Sequence, residues 1–161
     1  MRIVIADASP INYLIQIGHA DILRDLFGQV ILPSSVQLEL TARKTPAVVQ
    51  EWMANSPAWL KIYDSQAGHI DNISEELGLD AGEAEVVVLA EFLKADLVLM
   101  DERKGVAVAR RKGLKVTGTL GILDLAAHDG LLNFSAAIDL LRCTNCRFPE
   151  NLVDSLLEKH A

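Results

Sequence analysis

Two short apolar runs, each ending in an aspartate, constrain this chain more than any other feature. The first is Ile3-Val4-Ile5-Ala6-Asp7 and the second is Leu97-Val98-Leu99-Met100-Asp101. A strand with one wet face alternates apolar and polar residues. Neither run alternates, which marks a strand covered on both faces, as in a parallel sheet. In open parallel sheets, chemistry lies outside the carboxyl ends of the strands, and both aspartates fall there. Val30-Ile31-Leu32 and Leu114-Lys115-Val116-Thr117 read as further strands, and Trp59-Leu60-Lys61-Ile62-Tyr63 alternates like an edge strand.

Helices are predicted between the strands. Ser9-Pro10 reads as a cap followed by proline at the first helical position, with Ile11, Leu14, Ile15 and Gly18 at helical spacing behind it. Asp21 to Phe27 is a short amphipathic helix stopped by Gly28. Pro33-Ser34-Ser35 opens a helix that carries Glu39 about one turn in. Further helices are expected at Ala47 to Asn55, Ala81 to Lys94, Lys104 to Lys112, Thr119 to Ala127, Ser135 (as cap) to Leu141, and Pro149 to Lys159. Residues 64–78 are polar, and a loop with a short helix is expected there. Strands alternating with helices imply an α/β fold of three layers, α/β/α, around a central, mainly parallel sheet. A length of 161 residues, half of them hydrophobic, fits one domain over 1–161, with the helices of about 135–161 as an appendage.

Several classes are disfavoured. No apolar run approaches the roughly eighteen residues that a membrane span requires. The first apolar stretch is broken at Asp7, so no signal peptide is expected, and the expected location is the cytoplasm. The formal net charge is −7, which argues against a purely electrostatic nucleic-acid binder. It does not argue against a nucleic-acid enzyme whose carboxylates hold metal ions. Cys143 and Cys146 form one C-x-x-C pair, whereas a structural zinc needs four ligands and a thioredoxin-type pair follows an early strand. They are expected to be thiols in a loop or at a helix end.

Four carboxylates stand out by position: Asp7 and Asp101 at strand ends, Glu39 after the second strand, and Glu83 at the start of the helix behind Asp80. At one rim of a parallel sheet they would repel one another and raise each other's pKa. A divalent cation relieves that, and oxygen ligands without Cys or His suit Mg²⁺ or Mn²⁺. Each also has a structural alternative. Asp7 could cap the following helix, Glu39 could be a solvated helix residue, and Asp80-Ala81-Gly82-Glu83 fits a capping box. Glu85 falls roughly opposite Glu83 on the helix and is the lesser candidate. Asp101 is preferred over Glu102, which reads as solvated. Arg103, Lys104, Arg110, Arg111, Lys112 and Lys115 could hold phosphates beside Asp101 or form a solvated helix face. Arg103 and Lys104 are the substrate-binding candidates. Tyr13, Trp52, Trp59 and Phe92 are scattered and read mostly as core, so no stacking platform is expected.

The order Asp7-x-Ser9 after the first strand, then Glu39, then Leu79-Asp80-x-Gly82-Glu83-Ala84-Glu85, then Leu97-Val98-Leu99-Met100-Asp101-Glu102 resembles the PIN domain. With Gly118-Thr119-Leu120-Gly121-Ile122-Leu123 following, it is similar to the PIN-like group found in toxin–antitoxin loci of the VapBC type. The resemblance covers residues 2 to about 132 and, loosely, the C-terminal helices. It implies a Mg²⁺- or Mn²⁺-dependent ribonuclease, an antitoxin partner and a homodimer. By position it places Asp7, Glu39, Glu83 and Asp101 in the acidic site, with Asp7, Glu83 and Asp101 as metal ligands and Glu39 binding metal or orienting water. Ser9 and Thr119 would be supporting polar residues. Cys143-Thr144-Asn145-Cys146 departs from that pattern.

Rival classes fit less well. Haloacid-dehalogenase-like phosphatases need D-x-D after the first strand, and Ser9 stands at the second acidic position. A response-regulator receiver needs an aspartate at the end of a middle strand, where this chain has Pro33. The remaining alternative is a non-catalytic PIN-like module acting through protein–protein binding.

Overall fold

The computed structural model describes residues 2–64 and 78–161. The loop and short helix expected over 64–78 therefore lie, apart from the two end residues, outside the described residues. The strands are β1 (Val4–Ala6), β2 (Val30–Pro33), β3 (Leu60–Tyr63), β4 (Leu97–Leu99) and β5 (Val116–Thr117). They form one five-stranded sheet in the order β3-β2-β1-β4-β5, and every pairing is parallel.

β1 lies in the middle, with Ile5 paired to Ile31 of β2 on one side and to Val98 of β4 on the other. All residues of β1 and β4 are buried, which is why neither run alternates. The chain steps outward from β1 to β3, then crosses back to β4 beside β1. Such a reversal opens a crevice at the carboxyl ends of the two strands that flank it. Asp7 and Asp101 follow those two ends, and the Asp7 amide donates to the Leu99 carbonyl at 2.8 Å.

The helices are α1 (Ala8–Gln16), α2 (Ile22–Phe27), α3 (Ser34–Leu40), α4 (Ala47–Ala54), α5 (Ala81–Leu93), α6 (Arg103–Arg111), α7 (Thr119–His128), α8 (Phe134–Arg142) and α9 (Glu150–Lys159). They flank the sheet as a three-layer α/β/α arrangement. α5 packs on β1 and β2 with α3 and α6 beside it, and α1 packs against α3, α4 and α7.

Two helix starts differ from the sequence reading. α1 has Asp7, not Ser9, at its N-cap, with φ −83° and ψ 173°. The extended backbone of β1 runs through Asp7 before turning, which leaves Pro10 in the first turn, where its missing N–H has no partner to lose. α8 is capped by Asn133, whose side chain accepts from the Ala136 amide at 2.9 Å. Asparagine caps at least as well as serine, so the helix begins upstream of Ser135.

Ile138, Leu141 and Val153 of the last two helices are buried in the same apolar cluster as β1 and β4. The end of α9 is fastened further. Lys159 donates to Asp124 of α7 at 3.0 Å, His160 pairs with the same carboxylate at 2.7 Å, and the His160 ring stacks on Phe134 at 5.0 Å. Burial works against ionisation of Asp124, but His160 and Lys159 outweigh it and hold the carboxyl below its ordinary range.

Candidate active site

Asp7 is only 5% exposed and makes no side-chain capping bond to α1. Its carboxyl is pushed up to about 7, first by burial and then by Glu39, Asp80 and Asp101, with the Ala8 amide working the other way. The acid at the end of β1 thus senses three others drawn from distant parts of the chain.

Glu39 is the second-to-last residue of the short helix α3. Partial burial and the neighbouring Asp80 raise its carboxyl. Glu85, which is 2% exposed, ties the first turn of α3 to α5. Its carboxylate lies 3.3 Å from the Ser35 amide and 3.5 Å from the Ser34 hydroxyl, both in the first turn of α3. A carboxylate is favoured there by the unpaired amides and the helix dipole. Glu83, two residues earlier and therefore on another face, is half-buried at the rim. Its carboxyl is pushed up to about 8 by burial, by a hydrogen bond with the Asp80 side chain, and by the charges of Asp80, Asp7 and Glu102. Asp80 is the N-cap of α5 and accepts from the Glu83 amide at 2.8 Å. Its capping role was legible in D-x-x-E, but its place as a further acid of the cluster was not.

Asp101 is clamped by the start of α7. The Thr119 amide donates to Oδ1 at 2.7 Å and the Thr119 hydroxyl donates to Oδ2 at 2.6 Å. Each carboxylate oxygen keeps a second lone pair for another partner. Gly82 and Gly118 make room for the acids, and Gly105 lies beside them. A Cβ at Gly82 would lie 3.3 Å from Glu39 Oε2 and 3.6 Å from Asp80 Oδ1, one at Gly105 3.5 Å from Glu83 Oε2, and one at Gly118 2.6 Å from Asp101 Oδ1. Gly105 chiefly makes room for the Met100 side chain, so Gly82, a glycine inside a helix where it is otherwise costly, was the sequence signal for this crowding.

Among the described residues, no three His, Cys, Asp or Glu side chains stand close enough together to enclose one metal ion. The donor set nevertheless fits a hard divalent cation: carboxylates only, three of them raised by burial and mutual repulsion. A family model described as a PIN domain (DUF3368) matches residues 3–161. The chain belongs to the PIN-domain family. PIN domains are generally nucleases that bind nucleic acid and use divalent metal ions. The match extends through α8 and α9, so these helices fall within the matched region. No curated protein matches the chain. Among the described residues, no helix is long and apolar enough to cross a membrane.

Two clefts border the acids of this PIN domain. One, of about 340 Å³, is lined by Ser9, Asn12, Gln16, Glu39, Lys44 and Asn145, among others. The second, of about 290 Å³, is lined by Ser9, Tyr13, Asp101, Glu102, Asn145, Cys146 and Arg147. Tyr13 is therefore a cleft residue, not purely core. Phe92 is 74% exposed and not core either, whereas Trp52 and Trp59 pack with ring centroids 5.9 Å apart. Arg103 and Lys104 are exposed at the start of α6 and line neither cleft.

Cys146 of the C-x-x-C pair lines the second cleft. Both thiols are free, Cys143 exposed and Cys146 half-buried. Burial, and then the charge of Asp101, push the Cys146 thiol up to about 11. A neutral, shielded thiol is a poor nucleophile and a poor metal ligand. Brief alkylation with iodoacetamide at pH 8 should modify Cys143 and spare Cys146, read by peptide mass mapping.

Proposed function

We propose that this PIN domain is an endoribonuclease that hydrolyses RNA phosphodiester bonds with Mg²⁺ or Mn²⁺, and that it is the toxin of a type II toxin–antitoxin pair. The observation that supports this most strongly is the convergence of Asp7, Glu39, Asp80, Glu83 and Asp101 where the strand order reverses, with Asp7 raised to about 7 and Glu83 to about 8. Acids that are costly to ionise side by side are suited to sharing a divalent counter-charge.

Asp7, Glu83 and Asp101 hold the ion, and Glu39 joins them or orients a water. A divalent ion bound there supplies a water of lowered pKa and a counter-charge for the phosphate. Thr119 fixes both oxygens of Asp101. Glu85 secures α3 and with it Glu39. Ser9 lies between the two clefts, beside Asp7. Arg103 and Lys104 add positive charge at the start of α6. In this reading the protein acts in the cytoplasm as a homodimer, and a cognate antitoxin covers the acidic rim.

The test is cleavage of a mixed RNA pool with Mg²⁺, Mn²⁺ or EDTA, beside Asp7→Asn and Asp101→Asn. Cleavage should need metal and vanish in both variants. Expression in a bacterial host should arrest growth, and Asp7→Asn should not. No cleavage under any metal, with no Mn²⁺ shift in melting temperature, would favour a non-catalytic binding module.

A further inference from the structure

The acidic rim poses a problem for its own substrate. The chain carries a net charge of −7, and a polyanionic strand approaching five carboxylates meets repulsion unless cations flank them. The loop between α8 and α9 answers that need. It comes from the far end of the sequence, yet Asn145, Cys146 and Arg147 lie beside Ser9, Tyr13 and Asp101 in one cleft, and Asn145 also lines the other. The two clefts thus share Ser9 and Asn145. The lining of each contains one cationic side chain, Lys44 in the first and Arg147 in the second. Glu39 belongs to the Lys44 side, Asp101 and Glu102 to the Arg147 side.

We propose that Lys44 and Arg147 position a single RNA strand across the acidic rim, each holding a backbone phosphate in its own cleft, with Asn145 between them at the junction. This rests on the nuclease reading above and deepens it. Lys44 sits in the turn after α3, where it follows Glu39 closely in sequence, so one phosphate is fixed beside that acid. Arg147 does the same beside Asp101. A guanidinium grips phosphate in bidentate fashion and an ammonium acts as a point charge. The Asn145 amide offers donor and acceptor to whatever bridges the clefts. Tyr13 adds a ring and a hydroxyl to the Arg147 cleft, enough to seat one base or ribose. Lys44 and Arg147 are both exposed and make no ion pair among the described residues, so their charge is available to a ligand.

The experiment compares Lys44→Ala, Arg147→Ala, Arg147→Lys and the double alanine variant. Binding of a short fluorescent single-stranded RNA is followed over a salt series in an Asp7→Asn background, which does not cut. Cleavage is measured with Asp7 intact. Each alanine should raise Kd and KM by roughly tenfold at low salt, leave kcat within about twofold, and lower the slope of log Kd against log salt by about 0.7, one phosphate contact's worth on a single strand. The double variant should lose about twice that slope, and Arg147→Lys should keep it. Melting temperature should not change, since both side chains are exposed. If the parent binds and cuts RNA and the alanine variants show its slope and KM, the positioning role is overturned while the nuclease reading stands. A parent that neither binds nor cuts single-stranded RNA would overturn both.

Discussion

Asp7→Asn is expected to end RNA cleavage and, at the same time, to stabilise the metal-free protein at pH 8. The two effects share one cause. The Asp7 carboxyl loses its proton near 3.8 in the unfolded chain and only at about 7 in the fold, where burial and its acidic neighbours oppose ionisation. Between those values the folded state binds more protons than the unfolded state, so stability falls as pH rises through that window and levels off above it. At about 1.4 kcal/mol per pKa unit, the penalty at pH 8 is at most on the order of 4 kcal/mol. Asparagine keeps the shape and removes the charge. In a domain of this length that corresponds to a rise in melting temperature of up to roughly 10 °C. At pH 5, where Asp7 is mostly neutral in the fold, the gap should shrink. Mn²⁺ should raise the melting temperature of the native protein at pH 8 and do little for Asp7→Asn. Cleavage should fall by a factor on the order of 10³, because a carboxylate that would hold the divalent ion is gone. Melting curves of metal-free protein at the two pH values decide the point: a variant less stable at pH 8, or a gap independent of pH, would contradict the account of Asp7.

The strands that carry the site were legible because burial on both faces leaves a plain mark in sequence. β1 and β4 have no wet side, so their apolar residues run unbroken, and the acids that end them are conspicuous. Glu83 was legible for a local reason, its place in the first turn of α5. What local spacing could not show is what lies across the fold. Glu85 reads from its spacing as the lesser acidic candidate on the face opposite Glu83, yet its carboxylate is buried against the first turn of α3, a contact between segments 50 residues apart. Asp80 was read as a cap, which it is, but its charge also bears on Asp7, Glu39 and Glu83. Arg147 and Asn145 lie in a short loop where the C-x-x-C pair stands out and these two residues do not. Only the packing of α8 and α9 onto the core brings them to Ser9 and Asp101. The basic run from Arg103 drew attention by its density, while the cations that line the clefts are isolated in sequence.

Gly118→Ala should lower cleavage by about a hundredfold while leaving stability nearly unchanged. Gly118 precedes α7 with φ −93° and ψ −174°, a conformation open to any residue, so alanine brings no backbone strain. Its Cβ, however, would sit 2.6 Å from Asp101 Oδ1 and 3.5 Å from the Met100 carbonyl. Asp101 is short, and both its oxygens are held by Thr119, so it can yield only by loosening one of those bonds. Losing one such bond costs about 1 kcal/mol, and replacing glycine recovers much of that by restricting the unfolded chain. Stability therefore changes little, while a ligand carboxylate displaced by several tenths of an ångström no longer meets its partners. Gly113→Ala provides the contrast. Gly113 has φ +81° and nothing within 4 Å of its Cβ position, so alanine there should cost about 1 kcal/mol in stability through backbone strain and leave cleavage intact. The two substitutions are chemically identical and should separate cleanly, one in kcat and the other in melting temperature. A well-folded Gly118→Ala protein that cleaves RNA at the native rate would mean that the placement of Asp101 by the start of α7 is not what the reaction depends on.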